Sequence, residues 1–403
     1  TGALAYPGVS FGASGEAGEI SLDDAIAIAR TNNPDLAAVA RELTIAGGEL
    51  SKAQYISPFN PQLQSEGDYR QRTGRSNTQD WRVGLSQEIE IFGQRSLRIK
   101  SAKLNLQERR LLLSNQLRLL TGAVKLTYLD ALRARDQLNL LHELQALDSR
   151  LLNAARARLA AGEIGQIDFN LAQVRYGESS RALIEGRERY RLQRSSLGRL
   201  LGAAAGPEPS PAPVQMPLPD YRLDQMEASA MRNRPDLGAR ELEVTRLETE
   251  ATLNQRLALP NLTLGAFGGH ELNTEYPVGM QMGFSVPLFN RRQGEAEILV
   301  GQIAQAKDLL RANQEDVEKQ VRDAYNAYQA ARESLSVYQQ DVTQPAHESF
   351  ALLEEAFLAG KIDLLRLSVA EREAFEARMR YFDVWFGANS ARVALELAAG
   401  VSS

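Results

Sequence analysis

The chain has 403 residues, 24% of them charged and 6% aromatic, with a formal net charge of −5. That charge is too small, and the basic residues too dispersed, to argue for nucleic acid, and the absence of cysteine excludes disulfides and cysteine–metal sites. No run of 18 apolar residues exists, so no transmembrane helix is expected; a β-barrel, whose strands alternate, stays allowed.

No signal peptide precedes Thr1, so the sequence reads either as a cytosolic chain or as the mature chain of an exported one. Residues 1–20, rich in Gly, Ala and Ser, predict an extended arm. Ser21 suits an N-cap, with Asp23 and Asp24 in the first turn of a helix to about Arg30. Asn33-Pro34-Asp35 interrupts it, and a second helix runs to about Ile56, where Ser57-Pro58-Phe59-Asn60-Pro61 stops it. A hairpin is expected over 61–91. Leu63, Ser65, Gly67 and Tyr69 alternate with Gln64, Glu66, Asp68 and Arg70, and Trp81, Val83, Leu85, Ile89 and Ile91 alternate with polar residues.

A long helix is predicted over 96–159, with Leu113, Leu117, Leu120, Val124, Tyr128, Ala131, Ala134, Leu138 and Leu141 on one seam. Ala161-Gly162-Glu163-Ile164-Gly165 reads as a turn with a glycine C-cap, and Asp168 as a cap or first-turn acid of a return helix over 167–201. The prolines between Gly206 and Pro213 mark a linker, 203–221, expected to be neither helix nor sheet but an extended polyproline path.

The chain then repeats itself. Asn33-Pro34-Asp35-Leu36 matches Arg234-Pro235-Asp236-Leu237 at an offset of 201, and Ala161-Gly162-Glu163-Ile164 matches Ala359-Gly360-Lys361-Ile362 at 198. Phe92-Gly93-Gln94-Arg95 lines up with Phe289-Asn290-Arg291-Arg292. Two equivalent halves follow, 21–202 and 222–400. The second holds a helix, a hairpin over 260–288, a long helix over 292–358 and a return helix over 363–399. Val317, Val321, Ala324, Tyr328, Ala331, Leu335, Tyr338 and Val342 carry its heptad seam, and the full stretch would be roughly 100 Å long. In the second hairpin Val278, Met280, Met282, Phe284, Val286 and Leu288 share a face.

A sheet greasy on one face and polar on the other, with no core partner, calls for lipid on one side and water on the other. Strands of roughly ten residues suit a bilayer crossing, and sheet edges in lipid must close. Four strands per chain then imply several chains sharing one barrel; three would give twelve strands. The architecture expected is mainly α with a small β part, the long helices continuing as a tube from the shared barrel.

These features resemble the TolC family of outer-membrane efflux factors from about Ser21 to Gly400. The likeness rests on the duplicated Asn-Pro-Asp-Leu and Arg-Pro-Asp-Leu motifs, the paired hairpins and the paired Ala-Gly turns. Ser86-Gln87-Glu88-Ile89-Glu90-Ile91-Phe92-Gly93-Gln94-Arg95 looks like the signature of the heavy-metal subgroup of CzcC and CusC type. The resemblance implies a homotrimer with a twelve-stranded barrel in the outer membrane of a Gram-negative bacterium and a periplasmic helical tunnel. Its partners would be outer-membrane lipid, a periplasmic membrane fusion protein (the adaptor) and an inner-membrane transporter of the resistance-nodulation-division (RND) class. Conduction would be passive, without catalysis or cofactor, the cargo being heavy-metal cations; the alternative is that this chain is a type I secretion or drug-efflux duct of the same fold. It places the tunnel mouth and the adaptor contacts at the two turns, on Gly162, Glu163, Asp168, Gly360, Lys361, Asp363 and Arg366. Where some relatives carry acidic residues that constrict the pore, this chain has Arg366 and Val369. Many relatives carry a lipidated N-terminal cysteine; here such an anchor is either absent or removed.

Simpler roles stand beside these. Gly162 and Gly360 are helix C-caps first, Asp168 and Asp363 caps, and Lys361 a solvated residue. His142, His270 and His347 lack partners at metal-ligand spacing. Met280 and Met282 read as a lipid-facing stripe before a copper–thioether site. Trp81 and Tyr69 fit an interfacial girdle or ordinary strand packing, and Trp385 and Phe386 fit helix packing. No phosphate loop, nucleophile motif or HExxH appears. A reading from another class, a soluble coiled-coil scaffold, would leave Val278 to Leu288 facing water without purpose.

Overall fold

The computed structural model describes residues 19–74, 77–202, 208–272, 274–338, 342, 352 and 364–401. The chain runs β1 (Glu19–Ile20), α1 (Leu22–Asn32), α2 (Pro34–Ala53), β2 (Gln62–Arg70), β3 (Thr78–Ile89), α3 (Gln94–Ala160) and α4 (Gln166–Leu201). Then come β4 (Ser210–Pro211), α5 (Leu223–Asn233), α6 (Pro235–Leu257), β5 (Leu262–His270), β6 (Val278–Phe284), α7 (Gln293–Val337) and α8 (Leu364–Ala398). No described helix is long and apolar enough to cross a membrane. The end of the predicted 292–358 helix, apart from 342 and 352, lies outside the described residues. The chain divides into two compact units, one of residues 1–37, 116–234 and 316–403, the other of 38–115 and 235–315.

In the first unit the heptad seams are the core. Val124, Tyr128, Ala131, Val317, Val321 and Tyr328 are fully or almost fully buried. Leu129 and Leu132 of α3 pack with Phe386 and Val393 of α8. The two repeats share one junction. Pro34 takes the first position of α2, where its missing N–H costs nothing, and Asn33 Oδ1 accepts the Leu36 N–H at 3.0 Å. Asn33 Nδ2 donates to the Leu200 carbonyl at 3.1 Å, fastening the end of α4. Arg234, at the matching place, donates to the Ala398 carbonyl at 3.2 Å near the end of α8. The Asn-Pro-Asp-Leu and Arg-Pro-Asp-Leu motifs thus tie a returning helix to the start of a new one.

The linker departs from expectation. Ser210–Pro211 pairs in parallel with Glu19–Ile20, and Ala212 donates its N–H to the Ile20 carbonyl at 3.0 Å. A two-residue edge pairing tolerates proline because few donors are needed. Tyr128 Oη donates toward the carbonyls of Ile20 and Ala212, at 2.9 and 2.7 Å, and burial pushes its phenol well above the ordinary value. Arg135 donates to the Pro211 carbonyl, Tyr328 to that of Pro219 and Arg392 to that of Pro217. Val214 and Met216 pack on the α3–α8 core. Beneath this strap Glu396 accepts from Tyr221 and Arg392, both at 2.7 Å; burial first, then that bond to Glu396, raise Tyr221 to about 12.

In the second unit helices and strands keep one lateral order. Asn105 and Arg109 of α3 reach Glu49 and Glu42 of α2, at 2.6 and 3.2 Å. Arg246 of α6 pairs with Glu108 of α3 at 3.0 Å, and Lys307 of α7 with Glu248 of α6 at 2.8 Å. The helices therefore follow α2-α3-α6-α7, and the antiparallel sheet follows β2-β3-β5-β6. β2 and β6 are its two open edges. β6 ends at Phe284, short of the expected 288, because Pro287 carries no N–H and Leu288 turns back to the Val286 carbonyl.

Candidate functional site

The register carries the alternation through all four strands. Leu63 lies opposite Leu85 and Ser65 opposite Val83; Leu85 opposes Ala266 and Ile89 opposes Leu262; Leu264 opposes Met282 and Ala266 opposes Met280. One face is therefore apolar, and nothing among the described residues covers it: Val278 is 86% exposed, Met280 87%, Leu63 74% and Met282 68%. Burying such a face is worth roughly 1.5–3 kcal/mol per large side chain, so leaving it in water is costly. Nine residues of β2 span about 30 Å, the length a tilted strand needs to cross a bilayer. His270, opposite Trp81 at the far end of this face, meets the Tyr276 ring edge-on at 5.1 Å.

The other face is polar and rich in glycine. Arg70 Nε lies 3.1 Å from Asp80 Oδ2, and Asp80 Oδ1 accepts the Leu272 N–H at 2.9 Å. Arg82 pairs with Glu271 at 2.9 Å and lies 4.8 Å from the centre of the Phe267 ring. That ring covers Gly279, where an added Cβ would stand 2.6 Å from it. Strand propensity gives no reason for glycine here; only the register puts Gly279 and Gly84 beside Phe267.

The stretch Ser86 to Arg95 proves to be the staple where strand becomes helix. Gln87 donates to the Phe59 carbonyl at 3.0 Å. Gln94, fully buried, accepts the Phe92 N–H at 2.8 Å and donates to Asn261 Oδ1 at 3.2 Å. Arg95 donates to the carbonyls of Tyr55 and Gln54, and Arg98 pairs with Glu90 at 2.6 Å. The second repeat follows a different register from the one its letters suggest. Gly93 and Arg292 share positive φ, +78° and +59°, and Gln293 accepts the Arg291 N–H as Gln94 accepts that of Phe92. Gly93–Gln94 thus corresponds to Arg292–Gln293, two residues beyond the Phe-Gly-Gln-Arg match.

At the first predicted tip, Gly162 has φ +74° and α3 ends in a Schellman motif: Glu163 N–H reaches the Arg158 carbonyl at 2.9 Å and Gly162 N–H that of Leu159 at 3.0 Å. Asp168 Oδ2 accepts the Gly165 N–H at 3.3 Å, holding the start of α4, and Glu163 faces Arg158 at 4.0 Å. Ile164 and Phe169 anchor the turn on Leu152, Ala155 and Ala172. Ile167, Leu171 and Val174 stay exposed on the first turns of α4. Gly360, Lys361 and Asp363 lie outside the described residues, and Arg366 falls on the backbone of α8 with its side chain outside them. Among the described residues no group of three His, Asp or Glu is placed to hold a metal ion.

The family model described as "Outer membrane efflux protein" matches residues 25–203 and 228–401. The chain is 27% identical over 371 residues to the cobalt-zinc-cadmium resistance protein CzcC of Cupriavidus metallidurans, covering 91% of this chain and 87% of that one. It is 24% identical over 411 residues to the pyoverdine export outer membrane protein OpmQ of Pseudomonas putida, covering 94% and 85%. The crystal structure of CusC, described for its transmembrane channel formation, superposes with a TM-score of 0.77 at 17% identity, covering 97% of this chain and 96% of that one. With its mainly helical fold, its four-stranded sheet and its twofold repeat, the chain belongs to the outer membrane efflux protein family, the TolC-type channels.

Proposed function

We propose that this chain is one third of an exit duct in the outer membrane of a Gram-negative bacterium. Three copies would join β6 of one to β2 of the next, closing a twelve-stranded barrel with the apolar face in lipid and the polar face in water. The observation that carries this reading is the uncovered apolar sheet face between two unpaired edges. The duct passively conducts what an inner-membrane RND pump and a periplasmic adaptor deliver. The likeness to CzcC supports heavy-metal cations as cargo. The likeness to OpmQ supports a second reading, an organic solute leaving through the same fold. The turns at 161–168 and 359–366 are the proposed tips for the adaptor, with Gly162, Glu163 and Asp168 on the first and Gly360, Lys361, Asp363 and Arg366 on the second.

Fractionation tests the proposal. The protein should pellet with outer membranes, require detergent for extraction, and run as a heat-sensitive trimer. A monomer in the soluble fraction would contradict it. Deleting the gene and scoring sensitivity to zinc, cobalt and cadmium against sensitivity to siderophores and drugs separates the two cargo readings.

A further inference from the structure

Apolar exposure continues past the ends of the strands. The connections between sheet and helices present Tyr55, Ile56, Phe59, Phe92, Leu288 and Phe289, with Ile56 91% and Phe289 92% exposed. Beneath them the helix ends of the second unit meet at one level. Arg95 of α3 donates to the carbonyls of Gln54 and Tyr55 just past α2. Gln94 donates to that of Arg256 in the last turn of α6, and Asn254 of α6 to that of Arg292 just before α7. Here the acids are largely spent and the bases are not. Glu90 pairs with Arg98 at 2.6 Å and Glu295 with Arg292 at 3.7 Å. Lys52, Lys100, Arg256 and Arg291 are exposed, and none has a carboxylate partner among the described residues. Glu88 belongs to the polar sheet face, where it accepts from Asn261. The carboxylates left over are Glu49, which accepts from the neutral Asn105, and Glu297.

A greasy band followed by uncompensated cations matches the order in which a membrane presents acyl chains and then phosphates. Lys52 lies four residues before Ile56, and Arg291 two residues after Phe289. When β6 of one copy joins β2 of the next, these two groups stand on opposite sides of one seam. We propose that an anionic phospholipid of the leaflet on the helical side docks at each seam. Its acyl chains lie against Ile56 and Phe289, and its phosphate between Lys52 of one copy and Arg291 of the next. The proposal deepens the trimeric duct reading and rests on it. Charge complementarity and continuity with the apolar sheet face select a lipid over a soluble anion, which would leave the apolar side chains beside the cations without a use.

The test heats the delipidated full-length trimer in neutral detergent, alone or with phosphatidylglycerol, phosphatidylcholine or inorganic phosphate, and reads the temperature at which it dissociates. Phosphatidylglycerol should raise that temperature; phosphatidylcholine of the same acyl chains and inorganic phosphate should not. Lys52→Gln with Arg291→Gln should remove the rise, while Arg110→Gln, deeper on α3, should keep it. Each charge removed should weaken phosphatidylglycerol retention, counted by native mass spectrometry, about fivefold. A rise that survives the double substitution, or one that phosphatidylcholine or inorganic phosphate gives equally, overturns the lipid site and leaves the duct intact. No response of an intact trimer to any lipid also overturns it, and means that neighbouring copies cover Ile56 and Phe289 themselves. Failure to form a trimer under any condition overturns the duct reading, and the lipid site falls with it.

Discussion

At the scale of single residues, backbone conformation and burial decide more than side-chain chemistry. Gly162 sits in the left-handed region with open space around a would-be Cβ, so only its φ constrains it. Gly162→Val should cost about 1–2 kcal/mol and lower the thermal midpoint in detergent, while Gly162→Asn stays near wild type. Equal midpoints for the two would contradict the cap. Asp148 of α3 is buried, and burial raises its carboxyl pKa above the ordinary 3.8 despite a hydrogen bond from Ser179 and the nearby Arg175. A raised folded value means that stability is fully present below the ordinary carboxylate range and lost as pH rises through the folded value. Asp148→Asn keeps an acceptor for Ser179 and removes the charge. It should raise the unfolding midpoint at pH 7, and the gain should vanish near pH 3; a gain independent of pH would point to another cause.

At the scale of elements, the hairpins and seams were legible because their periods, two and three and a half, are local. The uncovered face is the alternation of Leu63, Val83, Met280 and Met282 made three-dimensional. The strap was not legible. Dense prolines signal unpaired chain, whereas its order comes from distant donors, Tyr128, Arg135, Tyr328 and Arg392. Tyr128→Phe leaves the shape but removes the hydroxyl shared by Ile20 and Ala212. It should destabilise by about 1–3 kcal/mol and speed hydrogen exchange at 19–20 and 210–212. Unchanged exchange there would mean the strap is held elsewhere. The Phe-Gly-Gln-Arg match misled by two residues because letters align independently of φ, and it is φ at Gly93 and Arg292 that fixes the start of each long helix. Met282→Arg puts a charge on the apolar face, at a cost of about 2–4 kcal/mol near a bilayer midplane. It should reduce the assembled fraction in outer membranes, whereas Gln281→Arg, on the polar face, should assemble normally. Equal assembly of the two would argue against lipid contact.

For the molecule as a whole, duplication explains why one length of sequence is used twice. The family match falls in two segments, and α1 and α5 are both 11-residue helices entering a proline-led helix. One copy supplies a hairpin, two copies supply four strands, and four strands still leave two edges. The turn at 161–165 was readable from its glycines. Its repeat at Gly360, with Lys361 and Asp363, lies outside the described residues, as does the side chain of Arg366.

The most direct test uses these 403 residues, which contain no cysteine. Cysteine pairs scanned along the two edges, one at Leu63, Ser65 or Gly67 and one at Val278, Met280 or Met282, should form disulfides between copies when β6 of one chain meets β2 of the next. The account predicts a denaturing-gel ladder that ends at three linked chains for pairs in register, and no linkage when either cysteine is alone. Monomers throughout the scan, or ladders running past three, would contradict it.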